Sequence, residues 1–153
     1  MSDYFQTNLQ SEFVAVSNIS IASQQLDTED SSVKLALAIV EAGNDRQAGD
    51  MLLLDVKNVS YLADYFVVMT GYSNVQVRAI ANTIEGIVEQ KCDRKALRSE
   101  GKSEGSWVLI DYGDIIVHIM MPSEREFYNL EAFWGHAERV DIQVSQKSGG
   151  QPI

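Results

Sequence analysis

The sequence predicts an α/β domain, a mixed β-sheet with helices mainly on one face, and three observations predict it. Two stretches carry apolar residues at helical spacing, and short apolar runs between and after them have the length and β-branched content of buried strands. The elements then follow in the order helix, strand, strand, helix, three strands and a short helical end, which suits a mixed sheet covered from one side.

Residues 1–30 carry Asp3, Glu12, Asp27, Glu29 and Asp30 with no Lys or Arg, and are rich in Ser, Gln and Asn. Patches such as "FVAV" lack a sustained period, so this reads as a polar acidic leader, loosely ordered or at most one weak helix. From Ser31 a helix begins, capped by Ser31 or Ser32, with Val33, Leu37 and Val40 on one stripe and Gly43 as its stop. "DMLLLDV" reads as a strand buried on both faces, a polar connector "KNVSYLAD" follows, and "YFVVMTG" makes the next strand. In "SNVQVRAIANTIEGIVEQK" Ser73 and Gln76 form a capping box, and Val77, Ile80, Ile84, Ile87 and Val88 form one stripe, so this helix should lie across the sheet.

"RKALR" is a candidate edge strand and "SEGKSEGS" a polar loop. "WVLIDYGDIIVHIM" is a hairpin turned at "DYGD", with Gly113 free to take a positive φ. Along its second strand Ile115, Val117 and Ile119 face one way and Ile116, His118 and Met120 the other, so both faces are largely apolar. Two substantial helices cannot cover both faces, and apolar surface left open marks a protein contact. Pro122 and a second capping box, Ser123 with Glu126, start short helical turns, and residues 141–153 read as a flexible tail.

Composition bounds the function. A chain of 153 residues fits one domain, here 31–140, plus tails. A formal charge of −10 without clustered Lys or Arg speaks against a grip on phosphate backbones and for a basic partner. The leader has neither a basic start with an apolar run nor an arginine-rich amphipathic pattern, no stretch is apolar enough to span a membrane, and Cys92 stands alone; a cytoplasmic location is expected.

Catalytic and metal-binding signals fail in context. "GKSEG" matches the nucleophile elbow of hydrolases, but Ser103 runs into a strand where a helix should follow. As the end of a phosphate-binding loop, the same stretch has Ala96 where glycine is required. His118, His136 and Cys92 lack ligand spacing, so no metal or cofactor is expected, and His118 has no evident nucleophile beside it. Carboxylates alternating on one strand, as two-metal chemistry requires, do not occur. What stands out is the concentration of aromatic residues between 107 and 136: Trp107, Tyr112, Phe127, Tyr128, Phe133 and Trp134. Tyr112 sits at a turn tip, and Asp111 and Asp114 flank the turn either bonding their own backbone or exposed as an acidic contact.

"LADYFVVMTG", "VRAIA", "EG", "WVLIDYGDIIVHIM" and "REFYNLEAFWG", in order from about Ser31 to Val140, closely resemble the Iojap family of ribosomal silencing factors. The resemblance implies an outline similar to nucleotidyltransferases without their catalytic carboxylates. It also implies a non-enzymatic translational repressor that binds a basic protein of the large ribosomal subunit on the joining face, with little direct nucleic-acid contact, and blocks the small subunit. Carried over by position, the partner-binding candidates are Trp107, Asp111, Tyr112, Asp114, His118, Tyr128 and Trp134, with Phe127 assigned to the core and Asp64 to a cap in the connector. "MMP" at 120–122 departs from the family pattern, where a histidine or bulkier residue often precedes the proline. Two alternatives stand beside this: a large-subunit assembly factor using the same contact, and a metal-dependent nucleotidyltransferase built on Asp55, Asp111 and Asp114. Homodimer formation is left open.

Overall fold

A computed structural model describes residues 13–16, 19–22 and 30–144. The elements are β1 (Phe13–Val16), β2 (Ile19–Ala22), α1 (Ser31–Asp45), β3 (Gly49–Asp55), β4 (Tyr65–Thr70), α2 (Asn74–Cys92), β5 (Arg98–Glu100), β6 (Trp107–Asp111), β7 (Ile115–Met120), α3 (Pro122–Tyr128), α4 (Leu130–Phe133), β8 (Glu138–Val140) and β9 (Ile142–Val144). Six strands form a mixed sheet in the order β5-β6-β7-β4-β3-β8. The central pair β4 and β7 is parallel, Tyr65 opposite Ile115 through Thr70 opposite Met120, and the other pairings are antiparallel.

The helices α1 and α2 cover one face. Alternation sends Leu53, Tyr65, Val67, Met69, Val108, Ile110, Ile115, Val117 and Ile119 into a core closed by Leu35, Ile39, Val77, Ile80 and Ile84 of the helices. Each such side chain contributes about 1.5–3 kcal/mol on burial, and this face supplies most of the fold's cohesion. The opposite face holds a smaller cluster, Leu54, Val56, Ala63, Phe66 and Ile116, with Leu52, Leu109, Trp134 and Ala137 packed at its margin.

Helix boundaries depart from expectation for local reasons. Asp30, not Ser31 or Ser32, caps α1 by accepting from Ser32 N at 2.9 Å, because Ser32 Oγ is engaged with Asp114 Oδ2 at 2.6 Å. Gly43 does not stop the helix, which runs on to Asp45. A Cβ there would lie 2.7 Å from Met69 Sδ, so Gly43 is a close-packing point between α1 and β4. Ser73 caps α2 by accepting from Gln76 N at 3.0 Å, while Gln76 Oε1 accepts from Tyr72 N instead of closing the box on Ser73. The Ser123–Glu126 box does not form: α3 starts at Pro122 after Met121, and Ser123 Oγ donates to Glu124 Oε1.

Two further expectations are corrected. Within the leader, β1 and β2 make an antiparallel hairpin, and β2 pairs with β9 in what was expected to be tail. The short apolar patches "FVAV" and "ISIA" are strand material lacking a helical period. The edge strand predicted over 94–98 lies instead at Arg98–Glu100, since Arg94 is taken up by the turn after β6.

Candidate functional site

On β6, Val108 and Ile110 point to the helices, which leaves Trp107, Leu109 and Asp111 on the opposite face beside Ile116, His118 and Met120 of β7. There the rings run in an unbroken row. Trp134 meets Phe66 edge-on at 5.2 Å, Phe66 meets His118 at 5.5 Å, and His118 meets Trp107 at 5.9 Å. Trp107 meets Tyr128 at 4.8 Å, and Tyr128 meets Phe127 edge-on at 4.9 Å. Burial falls along the row, from Phe66 at 3 % exposed and His118 at 7 % to Tyr128 at 50 % and Phe127 at 80 %. The inner rings are core, while the outer ones form an apolar shelf in solvent.

His118 links the two ends of that gradient. Its Nδ1 accepts from Trp107 Nε1 at 3.2 Å, and burial pushes its pKa down to about 4, so the imidazole is neutral and free to accept. Trp107 is therefore held by its polar edge, with part of the indole left at the surface. The expectation that His118 touches a partner is corrected: it is interior and positions Trp107.

The outer rings are carried by α3, which buries none of its residues. Proline at its first position and Asn129 in the left-handed region confine it to two turns, too few for an amphipathic stripe. Arg125 pins the segment to the sheet, donating Nη1 to Thr70 Oγ1 at 2.8 Å and to the Asp50 carbonyl at 2.5 Å, and Nε to Glu131 Oε2 at 2.9 Å. Phe127, expected in the core, faces outward as a result. Between α3 and the β5–β6 loop lies a cleft of about 590 Å³ lined by Glu100, Gly101, Glu104, Ser106, Trp107, Leu109, Glu124 and Tyr128. Sequence reading did not associate Glu100, Glu104 and Glu124 with the rings, because they come from a strand, a loop and a helix with no shared period.

The turn candidates separate. Tyr112 is 3 % exposed and packs with the helix-face core, so it is no surface contact. It continues the inward alternation of Val108 and Ile110, a signal the sequence carried. Burial raises its phenol pKa, and its hydroxyl has no partner among the described residues. Asp114 is also turned inward: Arg94 reaches Oδ1 at 2.8 Å and Oδ2 at 3.0 Å, Ser32 Oγ donates to Oδ2, and Arg94 Nη2 also donates to the Tyr112 carbonyl at 2.7 Å. Partial burial works to raise its pKa, but the hydrogen bonds from Arg94 and Ser32 outweigh that and hold it below the usual carboxylate range. Asp111 stays half-buried on the ring face, accepting from Gly113 N at 2.8 Å and Arg98 Nε at 3.3 Å. Asp64 is tied by its backbone, its N–H donating to the Asp114 carbonyl at 2.8 Å. Trp134 is partly buried over Phe66.

The three carboxylates named for the nucleotidyltransferase alternative lie apart, each beside a cation. Asp55 faces Lys57 at 3.4 Å, Asp111 faces Arg98 and Asp114 faces Arg94, each spent on a cation of its own. Among the described residues no three His, Cys, Asp or Glu side chains converge to hold a metal, and no helix is long and apolar enough to cross a membrane. Ser103 lies in a turn before β6, with no helix after it.

Comparison with known proteins places this architecture. A protein of Chromobacterium violaceum solved by crystallography superimposes with a TM-score of 0.65 at 36% sequence identity, over 67% of this chain and 85% of that one. The ribosomal silencing factor of Bacillus subtilis is 40% identical over 112 residues, 73% of this chain and 92% of its own. The chloroplastic Iojap protein of Arabidopsis thaliana is 31% identical over 124 residues, 81% of this chain and 51% of its own. With residues 29–152 matching the family model of the ribosomal silencing factor during starvation, the chain belongs to the ribosomal silencing factor (Iojap) family.

Proposed function

We propose that this chain represses translation by steric occlusion: it docks on a basic protein at the joining face of the large ribosomal subunit and keeps the small subunit away, without catalysis. The observation that supports this reading is the exposed end of the ring row, Trp107, Tyr128 and Phe127, standing beside Glu104 and Glu124, which form no ion pair among the described residues, on the sheet face that the long helices leave uncovered. Aromatic residues half in solvent supply large apolar contact at low entropic cost, and an acidic surround selects a basic partner while disfavouring ribosomal RNA. Of the sequence candidates, Trp107 and Tyr128 remain assigned to this contact, Trp134 to its inner margin and Asp111, ion-paired with Arg98, to its border; Asp114 is tied to Arg94 and Ser32, and Tyr112 and His118 act from inside the fold.

Sedimentation of purified subunits tests it. Saturating protein should shift joined ribosomes toward free subunits, and Trp107→Ala should lose that effect. Unchanged subunit joining at saturating native protein would overturn the proposal.

A further inference from the structure

We propose that the cleft beside Trp107 is a socket for a single cationic side chain of the partner, seated on the Trp107 and Tyr128 rings between Glu104 and Glu124. This rests on the docking proposed above and names the chemistry that the cleft reads.

Its lining holds two rings and three carboxylates, and neither Lys nor Arg. Glu100 is partly neutralised by Arg98 at 3.0 Å, whereas among the described residues Glu124 has only the Ser123 hydroxyl and Glu104 forms no ion pair. The loop's own cation does not fill the space: Lys102 turns away to pair with Glu85 of α2. A Lys or Arg from outside would find ring faces for cation–π contact and carboxylates for charge-assisted hydrogen bonds.

The socket is built in advance of any partner. Asn74 Nδ2 donates to the Glu104 carbonyl at 2.9 Å, and Gly105 N donates to the Gly101 carbonyl at 2.9 Å. Arg78 reaches the carbonyls of Lys102 and Ser103, and Met121 N donates to the Ser106 carbonyl at 2.9 Å. At Gly101, with φ at +95°, a Cβ would come 2.0 Å from the Trp107 carbonyl oxygen, so the loop lies directly against the strand that presents the indole. On the other wall Arg125 fixes α3 and with it Glu124 and Tyr128. A cation entering such a site meets charges already in place, which lowers the entropic cost of binding.

The test uses the full chain and purified large ribosomal subunits, with affinity measured across a salt series. Glu104→Gln with Glu124→Gln should weaken binding by about tenfold near physiological salt and flatten the salt dependence, with the thermal midpoint unchanged. Glu138→Gln with Asp141→Asn removes the same charge from exposed positions at the β8 side, and should change affinity by less than about twofold if local contact rather than net charge matters. Native affinity and salt slope in the first variant would overturn the socket while leaving the docking reading intact, and equal losses in both variants would overturn it in favour of long-range steering. If the native chain fails to bind the subunits at all, the docking reading falls and the socket with it.

Discussion

The two faces of the six-stranded sheet are made by the same strands, residue by alternate residue, yet they have opposite characters. On the helix face every inward position of β4, β6 and β7 is sealed under α1 and α2. On the other face the ring row runs outward from Phe66 through a neutral histidine to rings in solvent, with only short turns over it. The difference teaches that side-chain parity along a strand separates residues sealed under the long helices from those on the face these helices leave open, even when they are neighbours in sequence. Trp107 and Val108, or Asp111 and Tyr112, differ by one position and lie on opposite sides of that division.

The widest contrast is between two tyrosines. Tyr112→Ala removes a fully enclosed ring and should cost about 3 kcal/mol of unfolding free energy in urea titration, with affinity per folded molecule retained. A variant of native stability that no longer binds would reverse the assignment of Tyr112 to the interior. Tyr128→Ala should do the opposite, weakening subunit binding by about 2 kcal/mol while moving stability by less than about 0.5 kcal/mol. If Tyr128→Ala binds as the native chain does, the exposed shelf is not the contact.

Burial of His118 in the ring row should make the fold's stability depend on pH. Its folded pKa, about 4, lies below its ordinary 6.5, so the unfolded chain takes up the proton first as pH falls. Its contribution is intact above pH 6.5 and is lost on descent toward pH 4, at up to about 1.4 kcal/mol per pH unit. Asp114 behaves the same way at lower pH: with its pKa held below 3.8, its contribution is present above that value and disappears only beneath it. Urea midpoints at stepped pH should therefore decline between 6.5 and 4 in the native chain and decline less in His118→Asn, which keeps an acceptor for Trp107. Parallel curves would show that His118 is not the titrating group.

Most of the sheet was legible because its signals are periodic. The alternation of Ile115, Val117 and Ile119 against Ile116 and His118, and the stripe of α2, are properties of neighbouring residues and survive into the structure. What was not legible depends on distant chain. Ser32 could not be assigned its role without Asp114, which lies 82 residues away, nor Gly43 without Met69. The cleft was invisible for the same reason, since Glu104 and Glu124 meet only across two folded segments. Tyr112 was legible and misread: its position at a turn was given more weight than its parity with Val108 and Ile110. Phe127 was misplaced because a helix of two turns pinned by Arg125 has no buried face to offer it.

The smallest effect sharpens the comparison most finely. The Tyr112 ring belongs to the helix face, but its hydroxyl lies buried without a partner among the described residues, unlike the Tyr65 hydroxyl in the same core, which accepts from Lys57 Nζ at 2.8 Å. An unsatisfied buried hydroxyl loses its hydration and gains nothing in return, so its removal at constant shape should be neutral or stabilising. Tyr112→Phe should therefore leave the unfolding free energy unchanged or raise it by up to about 1 kcal/mol, with ribosome binding intact. A loss of 1 kcal/mol or more would mean that the hydroxyl is hydrogen-bonded in solution, paired as the Tyr65 hydroxyl is with Lys57 and as Trp107 is with His118 on the ring face.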